Sequence, residues 1–535
     1  MIRSATMLDE FTPEERHALA PYFTNLDGPV FALVNLPEVV KGALFARYSR
    51  SPKSLRRLFL DEFLKDAREG TAPAPAAVGT RRADELYERV FVEYGDDSVA
   101  QLGGVHLACE CASNILTKLL EWGRLMAYLE QSTRYIAYDD RPHGRYRYHV
   151  PAELGGELRA RYVATVDRAF ATYAAWLPRM RDFYAARFPR SAGESEPVYR
   201  ATIRAKALDT LRGLLPAATI SNVGIYGTGQ AYEQLLLRLR AHPLAEAHAY
   251  ADLMLVELRK VIPAFLRRVD VAERGLAWSA YLADARARTE EAAARVLAGL
   301  DPEPRPEVVL TDWDPEGEIK VVAAALYAAS ALPDDQLLAA VRKMTRDERA
   351  AVLAAYVGKR RNRRHRPGRA FERTTYRFDI LGDYGAFRDL QRHRLLTLEW
   401  QRLSPRHGSV MPEAVAEAGA RADWDRVLME SAALHDALIA AGRVEAAPYS
   451  VSMAYRVRFY MEMNAREAMH VIELRTSPQG HPAYRRICQT MHRLIGETAG
   501  HRAIAAAMTF ADHSEVALER LEAERAAERR REAAR

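Results

Sequence analysis

The chain has 535 residues, more than one hydrophobic core usually supports, so at least two domains are expected. Its 49% hydrophobic and 28% charged residues suit an ordinary globular protein, and no apolar run is long enough to cross a bilayer. A formal net charge of +6 favours anionic partners without separating nucleic acid from nucleotides or phosphates.

Met1 to Glu15 lack the basic-then-apolar pattern of a secretory signal. Cys109, Cys111 and Cys488 have neither metal-ligand spacing nor a disulfide framework. A cytoplasmic protein without a structural metal is expected. After an N-terminal extension (1–29), Val30 to Val34 reads as a strand, and Val40, Leu44 and Phe45 mark a helix. Long helical patterns follow over Glu157–Phe188 and Glu246–Val269. Asp301-Pro302-Glu303-Pro304-Arg305-Pro306 reads as a linker. Beyond it Glu307 to Leu310 predicts a strand, and Ile319, Val322, Ala325 and Leu326 a helix. Phe387 to Arg394 also has helical spacing. From Val451 to Met463 apolar and polar residues alternate, predicting a half-buried strand. Asn464 with Glu467 three residues on has the pattern of a capping box at a helix start. The last segment, 514–535, is a charged helical tail.

Ala43-Leu44-Phe45 is answered by Ala325-Leu326-Tyr327, and His242-Pro243 by His481-Pro482, in the same order. Such order implies a diverged tandem duplication of domain-sized units, residues 30–300 and 307–513. Strands mixed with helices, without repeated βαβ units, predict an α+β fold.

Two short motifs carry the chemistry. Gln391 is followed by Arg392-His393-Arg394, and Glu130-Gln131-Ser132-Thr133-Arg134-Tyr135 lies in the other copy. With Asn464, Arg466, Glu473 and Arg475, these residues resemble the flavin-dependent thymidylate synthase family. That family's signature runs Arg-His-Arg, a short spacer, then Glu-x-Ser-x-Arg-Tyr. Here the second copy keeps the first half and has Trp400 to Pro405 where the rest belongs. The first copy has Trp122-Gly123-Arg124 in the Arg-His-Arg place and keeps the second half. The resemblance covers most of 307–512 and, more weakly, 30–270.

The resemblance implies reductive methylation of dUMP to dTMP, with FAD as cofactor and NADPH and methylenetetrahydrofolate as co-substrates. It implies flavin contacts from Arg392, His393, Arg394, Asn464, Arg466, His470 and Glu130. Nucleotide contacts are implied for Glu130, Gln131, Ser132, Thr133, Arg134, Arg212, Asp389, Arg392 and Arg475. Arg475 is expected to stabilise charge on the base during catalysis. Asp389 replaces a family glutamine that touches nucleotide. A fused pair implies a homodimer in place of the family's tetramer. Plainer readings stand beside these roles: Asn464 as a helix cap, and His470 with Glu473 as a local helix-face pair. A non-catalytic flavin- or nucleotide-binding paralogue and a related one-carbon transferase are the nearer alternatives. Lys359 to Arg369, with a second Arg-His-Arg at 364–366, reads as a solvated loop or a nonspecific nucleic-acid contact.

Overall fold

A computed structural model describes residues 9–28, 31–48, 53–64 and 101–533. They fall into two compact units. One takes the described residues within Met1–Glu110, Gly123–Glu130 and Asn222–Leu300; the other takes those within Cys111–Trp122, Gln131–Ser221 and Asp301–Arg535.

Two antiparallel sheets repeat one plan. The first contains β1 (Gly104–Ser113), β2 (Met126–Glu130) and β3 (Ile220–Thr228), ordered β1-β3-β2. The second contains β4 (Val308–Trp313), β5 (Thr375–Asp383), β6 (Thr397–Trp400) and β7 (Arg456–Asn464), ordered β4-β5-β7-β6. Setting β4 aside, the orders coincide. β4's counterpart was expected at Val30 to Val34. Val30 lies outside the described residues, and of the rest only Leu33 forms a bridge, to Phe23. The chain turns at Asn35, whose φ is 55°, so no ladder develops.

The helix starts repeat as well. Ser113 caps Asn114–Leu120 as Asp383 caps Tyr384–Leu390, each side chain accepting a backbone N–H three residues on. Thr228 and Asn464 do the same for Gly229–Ala241 and Ala465–Arg475. His242 and His481 each accept, at Nδ1, the N–H two residues ahead at 3.2 Å. Within the second unit, residues of the two copies cross as a pair. Ala217 N–H bonds Val451 C=O and Met453 N–H bonds Leu215 C=O; Ala218 N–H bonds Tyr449 C=O and Ala454 N–H bonds Gly213 C=O. The numbers within the corresponding pairs (215 and 451, 217 and 453, 213 and 449, 218 and 454) differ throughout by 236. That register fixes the alignment of the copies.

Several expectations change. Residues 451–455 are a buried turn, not the start of β7, because their backbone groups are taken by the crossing just described. The helix at 387–394 stops at Leu390, so Arg392 to Arg394 lie in a turn beyond it. The helix expected to Val269 stops at Arg259; Pro263 opens a 3-10 segment, Pro263–Asp270. The tail forms the expected helix, Leu521–Ala533, and Arg525 ties it to Glu194 at 3.2 Å.

Candidate active site in the second unit

Arg134 and Arg212 from the first copy meet Asp389, Arg392 and Arg475 from the second, all within the second compact unit. Arg134 grips Asp209 through Nε and Nη2, at 2.8 and 2.7 Å. Its Nη1 donates to the Tyr484 hydroxyl at 2.9 Å. The Tyr484 ring also lies 5.4 Å from the Arg475 guanidinium, so one phenol braces both arginines. Arg212 is buried where the two copies cross; its Nη1 donates to Asp389 Oδ2 at 3.4 Å. Its Nη2 has no hydrogen-bond partner among the described residues. A side chain at position 385 would collide with it, since a Cβ there would lie 2.9 Å from Arg212 Nε and from Asp383 Oδ1.

Asp389 is the hub. Its Oδ1 is paired with Arg392, and Arg475 Nη1 stands 4.0 Å away. Burial alone would raise this carboxyl's pKa. Arg392, Arg212, Arg475 and Arg134 outweigh burial and hold it far below the usual carboxylate range. Four guanidiniums therefore gather around Asp209 and Asp389, and Arg212 also acts on the buried Asp383, whose pKa burial raises.

Arg475 ends the helix Ala465–Arg475 and donates Nε–H to His393 Nε2 at 2.9 Å. Burial first, and Arg475 second, keep His393 well below its usual pKa. The imidazole is neutral, and because Nε2 accepts, its proton sits on Nδ1. Nδ1 faces Glu467 Oε1 at 3.8 Å. Burial pushes the Glu467 carboxyl up to about 7, against Arg366, Arg466 and Arg394. His470, brought down to about 4 by burial and then Arg366, meets Arg366 Nη2 at 2.8 Å through Nδ1. His393, Glu467 and His470 have the composition of a metal-ligand set, with donor atoms within 4.8 Å of one another. The protonated His393 Nδ1 and the surrounding arginines make the place better suited to an anion than to a cation.

The other expected residues are distributed as follows. Ser132 Oγ accepts the Arg134 N–H at 3.2 Å, fixing the turn that aims Arg134. Thr133 is buried, and Gln131 C=O accepts from Ser221 at 3.1 Å. Glu130 closes β2 in the first unit, buried and opposite Val223. Asn464 caps its helix through the Glu467 N–H, but Glu467 turns toward His393 instead of completing the capping box. Arg466 is held by Pro367 C=O at 3.0 Å and by Glu372 at 3.3 Å, and Arg394 is exposed.

His470 and Glu473 are not a helix-face pair. Glu473 pairs with Arg360 at 2.6 Å, both side chains nearly inaccessible, while His470 takes Arg366. The basic run is thus partly a structural clamp, and its Arg-His-Arg at 364–366 supplies Arg366. In the fixed register, Leu239 opposes Arg475 and Pro448 opposes Arg212. Arg240, one residue off, is tied to Asp252 and Asp270 at 3.0 and 2.6 Å. Sequence reading missed Asp209 and Tyr484, which lie 75 and 350 residues from Arg134 and carry no motif.

The chain is thus a two-copy mixed α/β protein with an arginine-lined cluster drawn from both copies. The family described as thymidylate synthase complementing protein matches the chain twice, over residues 43–264 and 308–499, and the chain belongs to it. A UPF0159 protein of Chlamydia muridarum is 38% identical over 522 residues, spanning 96% of this chain and 98% of its own. UPF0159 protein Ta1429 of Thermoplasma acidophilum is 30% identical over 517 residues, spanning 90% and 97%. Among solved structures, a UMP/dUMP methylase PolB from Streptomyces cacaoi, bound with 5-Br dUMP, is similar over 37% of this chain and 94% of its own. The identity there is 18% and the TM-score 0.29. No helix among the described residues is long and apolar enough to cross a membrane.

Proposed function

We propose that the chain is a fused, tandem flavin-dependent thymidylate synthase. It would convert dUMP to dTMP by reductive methylation, using methylenetetrahydrofolate and NADPH with FAD as cofactor. One observation carries the reading: Arg134 and Arg212 of one copy converge with Asp389, Arg392 and Arg475 of the other, and Arg212 Nη2 has no hydrogen-bond partner among the described residues. A nucleoside monophosphate carries close to two negative charges at neutral pH. Membership of the thymidylate synthase complementing family supports the same substrate.

Arg212 Nη2 donates to the phosphate, and Arg134, already held by Asp209, Tyr484 and Gln479 C=O, adds positive charge beside it. Ser132 Oγ already accepts the Arg134 N–H, so its hydroxyl proton is left to donate to phosphate. Arg475 faces the base. Its Nε is fixed by His393, and its remaining donors stabilise negative charge that develops on the ring. Arg366, Arg394 and Arg466 with His393 and His470 form a donor-rich, cationic set that fits the diphosphate and polar ring edge of FAD. These residues would hold FAD, which would supply the reducing equivalent for the methylation. The chain's own residues bind, orient and hold charge. Nucleic-acid binding through the basic run loses ground because Arg360 is buried against Glu473.

The test is direct. Full-length protein with dUMP, methylenetetrahydrofolate, NADPH and FAD is assayed for dTMP, and dUMP affinity is measured by calorimetry. Turnover is expected, and Arg212→Ala should weaken dUMP binding roughly 30-fold or more. Binding without turnover marks a non-catalytic paralogue, and absence of dUMP binding overturns the proposal.

A further inference from the structure

Asp389 is an unusual group to find among nucleotide-binding arginines, since a carboxylate repels phosphate. Its surroundings give it another use. Arg392 contacts Oδ1, Arg475 Nη1 stands 4.0 Å from the same oxygen, and Arg212 Nη1 lies 3.4 Å from Oδ2. An ionised carboxylate has about four acceptor directions, so these contacts do not exhaust it. The four guanidiniums around it keep it ionised, and an ionised carboxylate only accepts hydrogen bonds. The group is thus a fixed acceptor flanked by fixed donors. It is buried, so a mismatched partner finds no water in compensation.

The pyrimidine bases differ in this respect. Uracil presents an imide edge, C2=O, N3–H and C4=O, in which one donor lies between two acceptors. Cytosine presents C2=O, a bare N3 lone pair and a C4 amino group. Against an acceptor flanked by donors, uracil satisfies every group. Cytosine sets a lone pair against a carboxylate and an amino group against a guanidinium.

We propose that Asp389 is the base-selecting residue of this site. Its carboxylate accepts the N3–H of an imide-type pyrimidine nucleotide while Arg475 and Arg392 donate to the flanking carbonyls, and cytosine nucleotides are refused. This rests on the arginine cluster being the nucleotide site proposed above. Asp389 touches substrate without taking part in bond making, so its signature is a ratio of affinities rather than a rate.

Calorimetric titration of full-length protein with dUMP and dCMP gives that ratio. Wild-type protein is expected to prefer dUMP by roughly 100-fold or more, because a site built on hydrogen bonds rejects a mismatched analogue strongly. Asp389→Asn, whose side-chain amide can turn either its oxygen or its NH2 to the base, should bring the ratio below about tenfold. A second probe needs no variant: N3-methyl-dUMP keeps both carbonyls but lacks the N–H, and should bind wild-type protein at least about 30-fold more weakly than dUMP. Equal binding of dUMP and N3-methyl-dUMP, or a dUMP preference unchanged in Asp389→Asn, removes Asp389 from base selection while the nucleotide site stands. If wild-type protein binds neither dUMP nor dCMP, the site reading fails and this inference with it.

Discussion

At the residue scale, the most telling groups are those whose protonation the fold overrides. The Glu467 carboxyl is pushed up to about 7 by burial, from an ordinary 4.5. Between those values the unfolded chain has released this proton while the folded chain retains it, so Glu467 makes stability fall as pH rises. His470 acts oppositely. Brought down to about 4 from 6.5, it stays neutral when the unfolded chain gains a proton, so it makes stability fall as pH drops through that window. The two contributions oppose each other between pH 4.5 and 6.5 in the intact protein. Glu467→Gln removes one of them. Urea midpoints measured from pH 4 to 8 should coincide with wild type at the acid end. The variant should then gain stability on wild type up to pH 7–8, by about 3 kcal/mol at most. A constant offset between the two curves would mean that Glu467 is not held protonated by its burial.

At the element scale, what the sequence disclosed follows from how local each cause is. The helix Ala465–Arg475 was legible because Asn464 caps it and Ala468, Met469, Val471 and Ile472 bury one face. Gly156–Arg187 was legible from its buried face alone, Tyr162, Val166, Phe170, Tyr173, Leu177 and Met180, to within one residue at each end. Residues 451–455 misled because alternating apolar residues bury themselves equally well in a turn locked to another segment, and its partners at 213–217 lie in the other copy. The basic run misled in the opposite way. Arg360 looks like surface charge, yet both Nη atoms are bonded to Glu473 at 2.6 Å and Nη1 also reaches Ala507 C=O at 2.8 Å. Nothing nearby in sequence marks Glu473 as its partner, because 113 residues separate them. This pair fastens the 359–369 loop to the helix that carries His470 and Arg475. Arg360→Ala leaves a buried carboxylate without its counter-ion and should cost about 3–5 kcal/mol in a denaturant titration. Arg360→Met combined with Glu473→Leu should recover most of that loss, because it removes both buried charges. If the single variant costs no more than an exposed ion pair, below about 1 kcal/mol, the clamp is not a stabilising element.

At the scale of the whole molecule, the linker at 301–306 divides the sequence but not the second compact unit, which draws on residues from both sides of it. The crossing of 213–218 with 449–454 is one seam. Tyr384 Oη donating to Asn114 C=O at 2.9 Å, Trp122 Nε1 donating to Leu398 C=O at 3.1 Å and Trp176 Nε1 donating to Asp423 at 2.8 Å are others. Residues 301–306 are exposed coil, so a protease site inserted there should be cut without unfolding the chain. The two fragments should then elute together and still bind dUMP. A fragment covering 307–535 alone keeps Asp389, Arg392 and Arg475 but lacks Arg134 and Arg212, and should not bind dUMP even where it stays soluble. The same division fixes the stoichiometry. Leu239 stands opposite Arg475 and Pro448 opposite Arg212 in the register of the two copies, so the reciprocal cluster has lost its cations. Calorimetry of the intact chain should give one dUMP per chain. Two equivalent sites, or binding by the 307–535 fragment on its own, would show that each copy carries a complete site and that the shared cluster is not where the nucleotide is held.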